Sequence, residues 1–104
     1  MLGLRLKFQM SANESQTITE TLVRARGDLA RRLGVDENEI REGSVEETEF
    51  PDAGLGAPLA GEMSAQVITP GWRITLKAKD GTYEYRASGK QLRLYDFGGR
   101  NYRV

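Results

Sequence analysis

Histidine and cysteine are both absent from this chain of 104 residues. Without imidazole or thiol groups, the protein cannot form disulfides, use Ser-His or Cys-His catalysis, or build the common zinc sites. The sequence also lacks the Gly-x-x-x-x-Gly-Lys phosphate loop and the calcium loop of alternating Asp or Asn that closes with Glu. We therefore predict no cofactor and no metal, and we expect that the protein is not an enzyme.

Net charge is also lacking, since 15 basic residues balance 15 acidic ones. The two signs are nevertheless segregated. Residues 36–62 carry nine acidic side chains and one basic, whereas residues 63–104 carry eight basic and three acidic. We expect these two segments to lie side by side in the fold. A net charge of zero disfavours strong nonspecific binding to nucleic acid or to an anionic membrane.

Long hydrophobic runs are missing as well. No stretch of the sequence approaches the length of a transmembrane helix. Arg5 and Lys7 interrupt the apolar residues that a signal peptide would need at the N-terminus. As written, the chain is expected in the cytoplasm, or outside the cell if a leader has been removed.

The N-terminal part of the chain predicts a strand followed by a helix. Residues 2–10 alternate apolar and other side chains, which is typical of a strand with one buried face. Residues 17–33 carry apolar side chains at helical spacing. A capping box of Thr17 and Glu20 predicts where this helix begins, and Gly34 supplies the left-handed residue after its end.

A second strand is predicted over residues 41–50, after one helical turn that begins at Asp36. Val45 and Phe50 have opposite parity in this strand, so they would point to opposite faces of a regular sheet. We expect a bulge to bring both to the same face.

Two tight turns organise the C-terminal part. Asp80-Gly81 and Ser88-Gly89 are both predicted as two-residue hairpin loops. Counting outward from them pairs Lys77 with Glu84, and Glu84 with Arg93. This register places the apolar residues of three strands on one face.

The predicted architecture is α+β, with one helix packed on a four- to five-stranded antiparallel sheet. We predict a single domain over residues 1–97 and a flexible tail over residues 98–104. The order of strand, helix and further strands resembles the layout of cystatins.

A segment rich in glycine and proline separates the predicted strands. The stretch FPDAGLGAPLAGEMSAQVITPGW, residues 50–72, contains all three prolines of the protein. Pro70-Gly71 predicts a type II turn. Asp52 follows a proline, where an aspartate commonly accepts backbone hydrogen bonds in an Asx-turn. We expect a compact loop folded over the end of the sheet.

This loop, residues 51–64, is also the predicted binding element. Long ordered loops in small domains often carry binding, and a stiff loop loses little entropy when it docks. The residues assigned to binding are Asp52, Leu55, Gly56, Pro58, Leu59 and Met63. Exposure of Leu55, Leu59 and Met63 would favour binding, whereas burial of all three would favour a purely structural loop.

The same region resembles a family of small bacterial proteins of uncharacterised function. The resemblance covers about residues 24–95 and rests on the order P-D-x-x-L-G-x-P and then T-P-G-W. Three positions differ, because Phe50 stands in place of Trp, Ala57 in place of Cys, and Ala60 in place of a second proline. The resemblance implies a shared fold and motif, and it implies no activity.

Three functional hypotheses follow. The first is a non-catalytic, monomeric module that binds another protein or a ligand through loop 51–64. The second is a purely structural domain or accessory subunit. The third is a weak binder of single-stranded nucleic acid through the C-terminal aromatic and basic residues; these are Tyr95, Phe97, Tyr102, Arg93, Arg100 and Arg103.

Acid-base catalysis is the weakest alternative. Glu47, Glu49, Asp52 and Glu62 supply carboxylates, but no nucleophile and base stand beside them. Strand alternation places Glu47 and Glu49 on one face, where we expect both to be solvated.

Overall fold

The computed structural model describes residues 12–79 and 81–104, and the side chains from residue 18 onward. Its elements in chain order are helix α1 (Ala12–Leu33), a 3-10 turn (Glu37–Glu39), and strands β1 (Ile40–Phe50), β2 (Thr69–Ala78), β3 (Gly81–Ser88), β4 (Gln91–Phe97) and β5 (Arg100–Arg103). The strands form one antiparallel sheet in the order β1-β2-β3-β4-β5. The predicted α+β fold, with one helix on an antiparallel sheet, is confirmed. The strand predicted at residues 2–10 lies outside the described residues.

Helix α1 packs with its predicted apolar stripe against one face of the sheet. Ala25 and Leu29 are fully buried and join a core with Ile74, Tyr85 and Leu94 from the sheet. Burial of this stripe, more than helix propensity alone, holds the helix in place. No helix among the described residues combines the length and the apolar character needed to cross a membrane.

The sequence predicted one end of α1 correctly and the other end wrongly. The predicted start at Thr17 is wrong, because the backbone is already helical from Ala12. Residues 12–16 include the good helix formers alanine, glutamate and glutamine, which can continue a helix past a potential cap. The predicted end is confirmed: Gly34 has a φ of 69°, and the amide of Val35 donates to the Ala30 carbonyl at 3.1 Å. This is the Schellman arrangement.

Strand β1 has one bulge, but not where we predicted it. The register shifts between Glu42 and Ser44, so the bulge brings Ile40 and Val45 to the helix side of the sheet. Between Val45 and Phe50 the pairing is continuous, and Phe50 therefore faces the other side. Phe50 is nevertheless 1% exposed, because that second face is also covered. The prediction of one buried face failed because both faces are buried here.

Both predicted hairpin registers are wrong by two residues. Lys77 pairs with Thr82 instead of Glu84, and Glu84 pairs with Tyr95 instead of Arg93. In the second hairpin the loop is Gly89 followed by Lys90, with glycine at the first loop position, as in a type II′ turn. A shift of two residues preserves which face each side chain occupies, so the predicted buried face is still correct.

Two further predictions are corrected near the ends of the strands. Pro70-Gly71 does not form a turn but lies within β2, where a Cβ on Gly71 would clash with the carbonyl oxygen of Ala87. Residues 98–104, predicted as a flexible tail, turn at Gly98 and Gly99 and form β5. Four strand residues are too few to show a period-two pattern in the sequence. The short turn predicted at Asp36 is confirmed, and Asp36 caps it by accepting from the Asn38 amide at 2.9 Å.

Candidate functional site

Four arginines stand side by side across the face of the sheet that is opposite α1. Arg73 pairs with Arg86, Arg86 with Arg93, and Arg93 with Arg103, on strands β2 to β5. Their sequence neighbours on these strands face the helix, so alternation sends the arginines to the other side. We call this set the arginine row. Loop 51–64, which leads from β1 towards β2, lies over it.

Arg86 holds the first part of the loop. Its Nη1 donates to the carbonyl oxygens of Leu55 and Gly56, each at 3.0 Å. Its Nε donates to Glu84 at 2.7 Å, and its guanidinium lies 3.6 Å from the centre of the Tyr95 ring. Arg86 therefore links the loop backbone to two side chains of the sheet.

Arg93 holds the second part of the loop and is 2% exposed. Its Nη1 donates to the Ala57 carbonyl at 2.9 Å, and its two Nη atoms donate to the two oxygens of Glu62, each at 2.6 Å. Its Nε donates to Gln91 at 2.9 Å. The fork geometry of a guanidinium matches a carboxylate in this way, and such bidentate pairs are strong. Arg103 adds a longer contact to Glu62 at 3.3 Å.

Glu62 is held in its charged form by these contacts. The hydrogen bonds from Arg93, followed by the bond from the Leu59 amide, lower the pKa of the Glu62 carboxyl from 4.5 to about 2. Glu62 belongs to the acidic segment, residues 36–62, and Arg93 belongs to the basic segment, residues 63–104. The expected proximity of those two segments is found at this pair.

Asp52 shapes the turn at the start of the loop. Its Oδ1 accepts from the amides of Gly54 at 2.9 Å and Gly56 at 3.1 Å, as in the predicted Asx-turn. Leu55 and Gly56 both have a φ of 63°, in the left-handed region that a leucine adopts only at a cost. The loop is therefore held in one shape from within as well as from the sheet.

The family model described as domain of unknown function DUF8738 matches residues 22–94, which is more than half of the chain. The chain belongs to the DUF8738 family. The DUF8738 match includes loop 51–64 and three members of the arginine row, and it ends before Arg103. A search of curated proteins and a search of solved structures each find no match.

The predicted binding residues divide into an inner and an outer set. Leu55 is completely buried, while Asp52 and Gly56 are half-buried and bonded within the loop. Pro58 is exposed, Leu59 is half-buried, and Met63 is 97% exposed. Neither of the two expected outcomes, exposure of all three apolar residues or burial of all three, is found, because Leu55 is buried and Met63 is exposed.

Two exposed apolar residues were missed by the sequence analysis. Val67 is 54% exposed and Ile68 is 65% exposed, just after the loop. We use the name outer surface for these two residues together with Pro58, Leu59 and Met63, which are exposed or half-buried in the preceding loop. The run Val67-Ile68 before a strand was the available signal, but such pairs are ordinarily buried.

The residues assigned to nucleic-acid binding do not form one exposed platform. Tyr95 lies under Arg86, and Arg93 is buried. Phe97 and Tyr102 pack on the helix side, where the guanidinium of Arg32 lies 4.5 Å from the centre of the Tyr102 ring.

Within residues 12–79 and 81–104, no group of three side chains of the metal-binding kinds comes together. Glu47 and Glu49 are both exposed, as expected. A cavity of about 350 Å³ lies where β4 begins and β5 ends; its lining is Lys90, Gln91, Leu92, Arg103 and Val104.

Proposed function

We propose that the protein is a non-catalytic module that binds another protein through the outer surface. The observation that carries the proposal is Met63, a large apolar side chain that is 97% exposed on a loop clamped from below. Exposed apolar side chains that cluster together commonly mark interaction sites. Val67 and Ile68 extend this exposed set along the chain.

The clamp supports binding on energetic grounds. Ordering a mobile loop on association costs conformational entropy, and a loop held in advance avoids most of that cost. Arg86 and Arg93 hold loop carbonyls from below, and Arg93 also pairs with Glu62, so the backbone on either side of Pro58 and Leu59 is fixed in advance. Methionine is well suited to such a contact, because its flexible, polarisable side chain adapts to the partner.

The chemistry of the loop supports a non-catalytic role. Its two carboxylates are already used, since Asp52 accepts two backbone amides and Glu62 is paired with Arg93. A catalytic acid or base would need to reach a substrate. We further propose that the protein is bacterial, which the P-D-x-x-L-G-x-P and T-P-G-W motifs support. We also propose that it acts as a monomer.

A site-specific photo-crosslinker tests the proposal. We would place p-benzoylphenylalanine at Met63 and, as a matched control, at Val23, which is 63% exposed on α1. In cells of the natural host, the Met63 position should yield a discrete cross-linked product that the Val23 position does not yield. Met63→Asp should then weaken binding to that partner, while Val23→Asp should leave it unchanged.

Two outcomes would contradict the proposal. One is the same cross-linked products from both positions, which would indicate general stickiness. The other is a partner whose binding survives Met63→Asp. Either result would favour the purely structural role instead.

A further inference from the structure

Among the residues that the structure describes, strand β1 has a partner strand on only one side. It is 11 residues long and lies at the end of the strand order, where it pairs with β2 and with no other strand among the described residues. Every second amide and carbonyl of an edge strand points away from the sheet and can pair with another chain. After the bulge, the stretch from Ser44 to Phe50 pairs with β2 without interruption. Its seven residues fall within the usual strand length of about 3–10 residues.

The side chains along this edge are strongly acidic. Residues 36–49 carry seven acidic residues and one basic residue, Arg41. The four glutamates of β1 are Glu42, Glu46, Glu47 and Glu49, and all are exposed. None of the four forms an ion pair with another described residue, whereas Glu62 and Glu84 each pair with two arginines.

Acidic residues occupy both faces of the edge, with apolar side chains between them. Pairing with β2 places Glu46 on the loop side with Arg73, and Glu47 on the helix side with Trp72. Val45 and Trp72 are only half-buried, and both pack against the core on the helix side. A strand added here would meet carboxylates on both faces and a partly exposed apolar floor on one.

We propose that the edge of β1 binds an extended, basic segment of a partner protein by strand addition. The backbone of the segment would complete the ladder, and its lysine or arginine side chains would pair with the β1 glutamates. A second copy of the same strand is a poor occupant, because like charges would lie opposite each other. This site is separate from the outer surface and goes beyond the function proposed above.

Three labelled peptides of about nine residues, a length that covers the edge, test the proposal by fluorescence anisotropy. The first alternates lysine and valine, the second alternates glutamate and valine, and the third is the lysine peptide with alternate amides N-methylated. The full-length protein should bind the lysine peptide at least roughly ten-fold tighter than either other peptide, because strand addition needs both the charges and the amides. Binding should weaken as salt is added.

Amide hydrogen exchange locates the contact. In the complex, alternate amides over residues 44–50 should become protected, while those of β5 at the opposite edge should not change. Glu47→Lys should weaken binding of the lysine peptide, while Glu20→Lys, the same charge change at an exposed position of α1, should have a smaller effect.

Three results would overturn the proposal. Equal binding of the N-methylated and unmodified lysine peptides would show that charge alone attracts them. Unchanged exchange over residues 44–50 in the complex would place the contact elsewhere. Outward amides of β1 that already exchange slowly in the protein alone would show that the edge is occupied before any partner arrives.

Discussion

Truncation of Leu55 tests the structural part of the loop most directly. Leu55 is completely buried beneath the loop and has a φ of 63°. Removing a buried leucine side chain to alanine costs about 2–5 kcal/mol, which combines lost burial with the cavity left behind. The site lies outside the main core cluster, in a loop whose residues are partly exposed. We therefore expect Leu55→Ala to fall in the lower half of that range, at about 2–3 kcal/mol.

The left-handed backbone conformation of Leu55 leads to a second, independent prediction. A glycine is ordinarily about 0.5–1 kcal/mol less stable than alanine in a regular element. In the left-handed region the order reverses, because a Cβ there costs about 1–2 kcal/mol. Leu55→Gly should therefore be at least as stable as Leu55→Ala, although it removes more atoms.

Unfolding in guanidinium chloride, followed by the fluorescence of Trp72, measures the stability of both variants. The midpoint of the transition should shift, and its slope should stay the same. Leu59→Ala is the matched control, since Leu59 lies in the same loop but is half-buried. It should cost less than Leu55→Ala. A loss below about 1 kcal/mol for Leu55→Ala would refute the burial of the side chain, since buried leucines cost more than this. A glycine variant clearly less stable than the alanine variant would refute the left-handed backbone.

Four other substitutions test the polar contacts. Arg93 lowers the pKa of Glu62 from 4.5 to about 2, so the pair stabilises the fold above pH 4.5 and loses this effect as the pH falls towards 2. The stability of Glu62→Gln should lack this acid dependence. An identical dependence of stability on pH in both proteins would count against the role of the pair. Asp52→Ala should lower stability by about 1–3 kcal/mol, because two amides lose a charged acceptor, whereas Asp52→Asn, which keeps one acceptor oxygen, should cost less in thermal melts. Burial, together with the hydrogen bond that Tyr85 donates to Asp28 at 2.8 Å, raises the pKa of Tyr85 above its usual value of 10. The stabilising effect of the protonated Tyr85 hydroxyl is therefore complete at neutral pH and is lost as the pH rises past 10. Tyr85→Phe should lower the free energy of unfolding by about 1–3 kcal/mol. A melting temperature unchanged by this substitution would argue that the hydrogen bond contributes nothing.

Part of the candidate site could be predicted from sequence. The Asx-turn at Asp52 followed from local chemistry, because an aspartate after proline can bond amides only two and four residues away. The clamp could not be predicted, because Arg86 and Arg93 become neighbours only when β3 and β4 pair in the correct register. The predicted register set Glu84 beside Arg93 and so hid the arginine row. The exposure of Met63 was equally inaccessible, since a methionine in a loop can face either way.

By itself, the sequence determined the class of fold, the helix stripe, the end of α1 at Gly34 and the shared face of the apolar residues in β2, β3 and β4. All of these follow from periodicity and from backbone preferences that act over a few residues. Only the tertiary structure decided the strand register, the strand at Arg100–Arg103, the burial of Phe50 and the clamp on loop 51–64. These depend on contacts between residues far apart in the chain. A register shift of two residues leaves every periodic pattern unchanged while it changes which side chains meet.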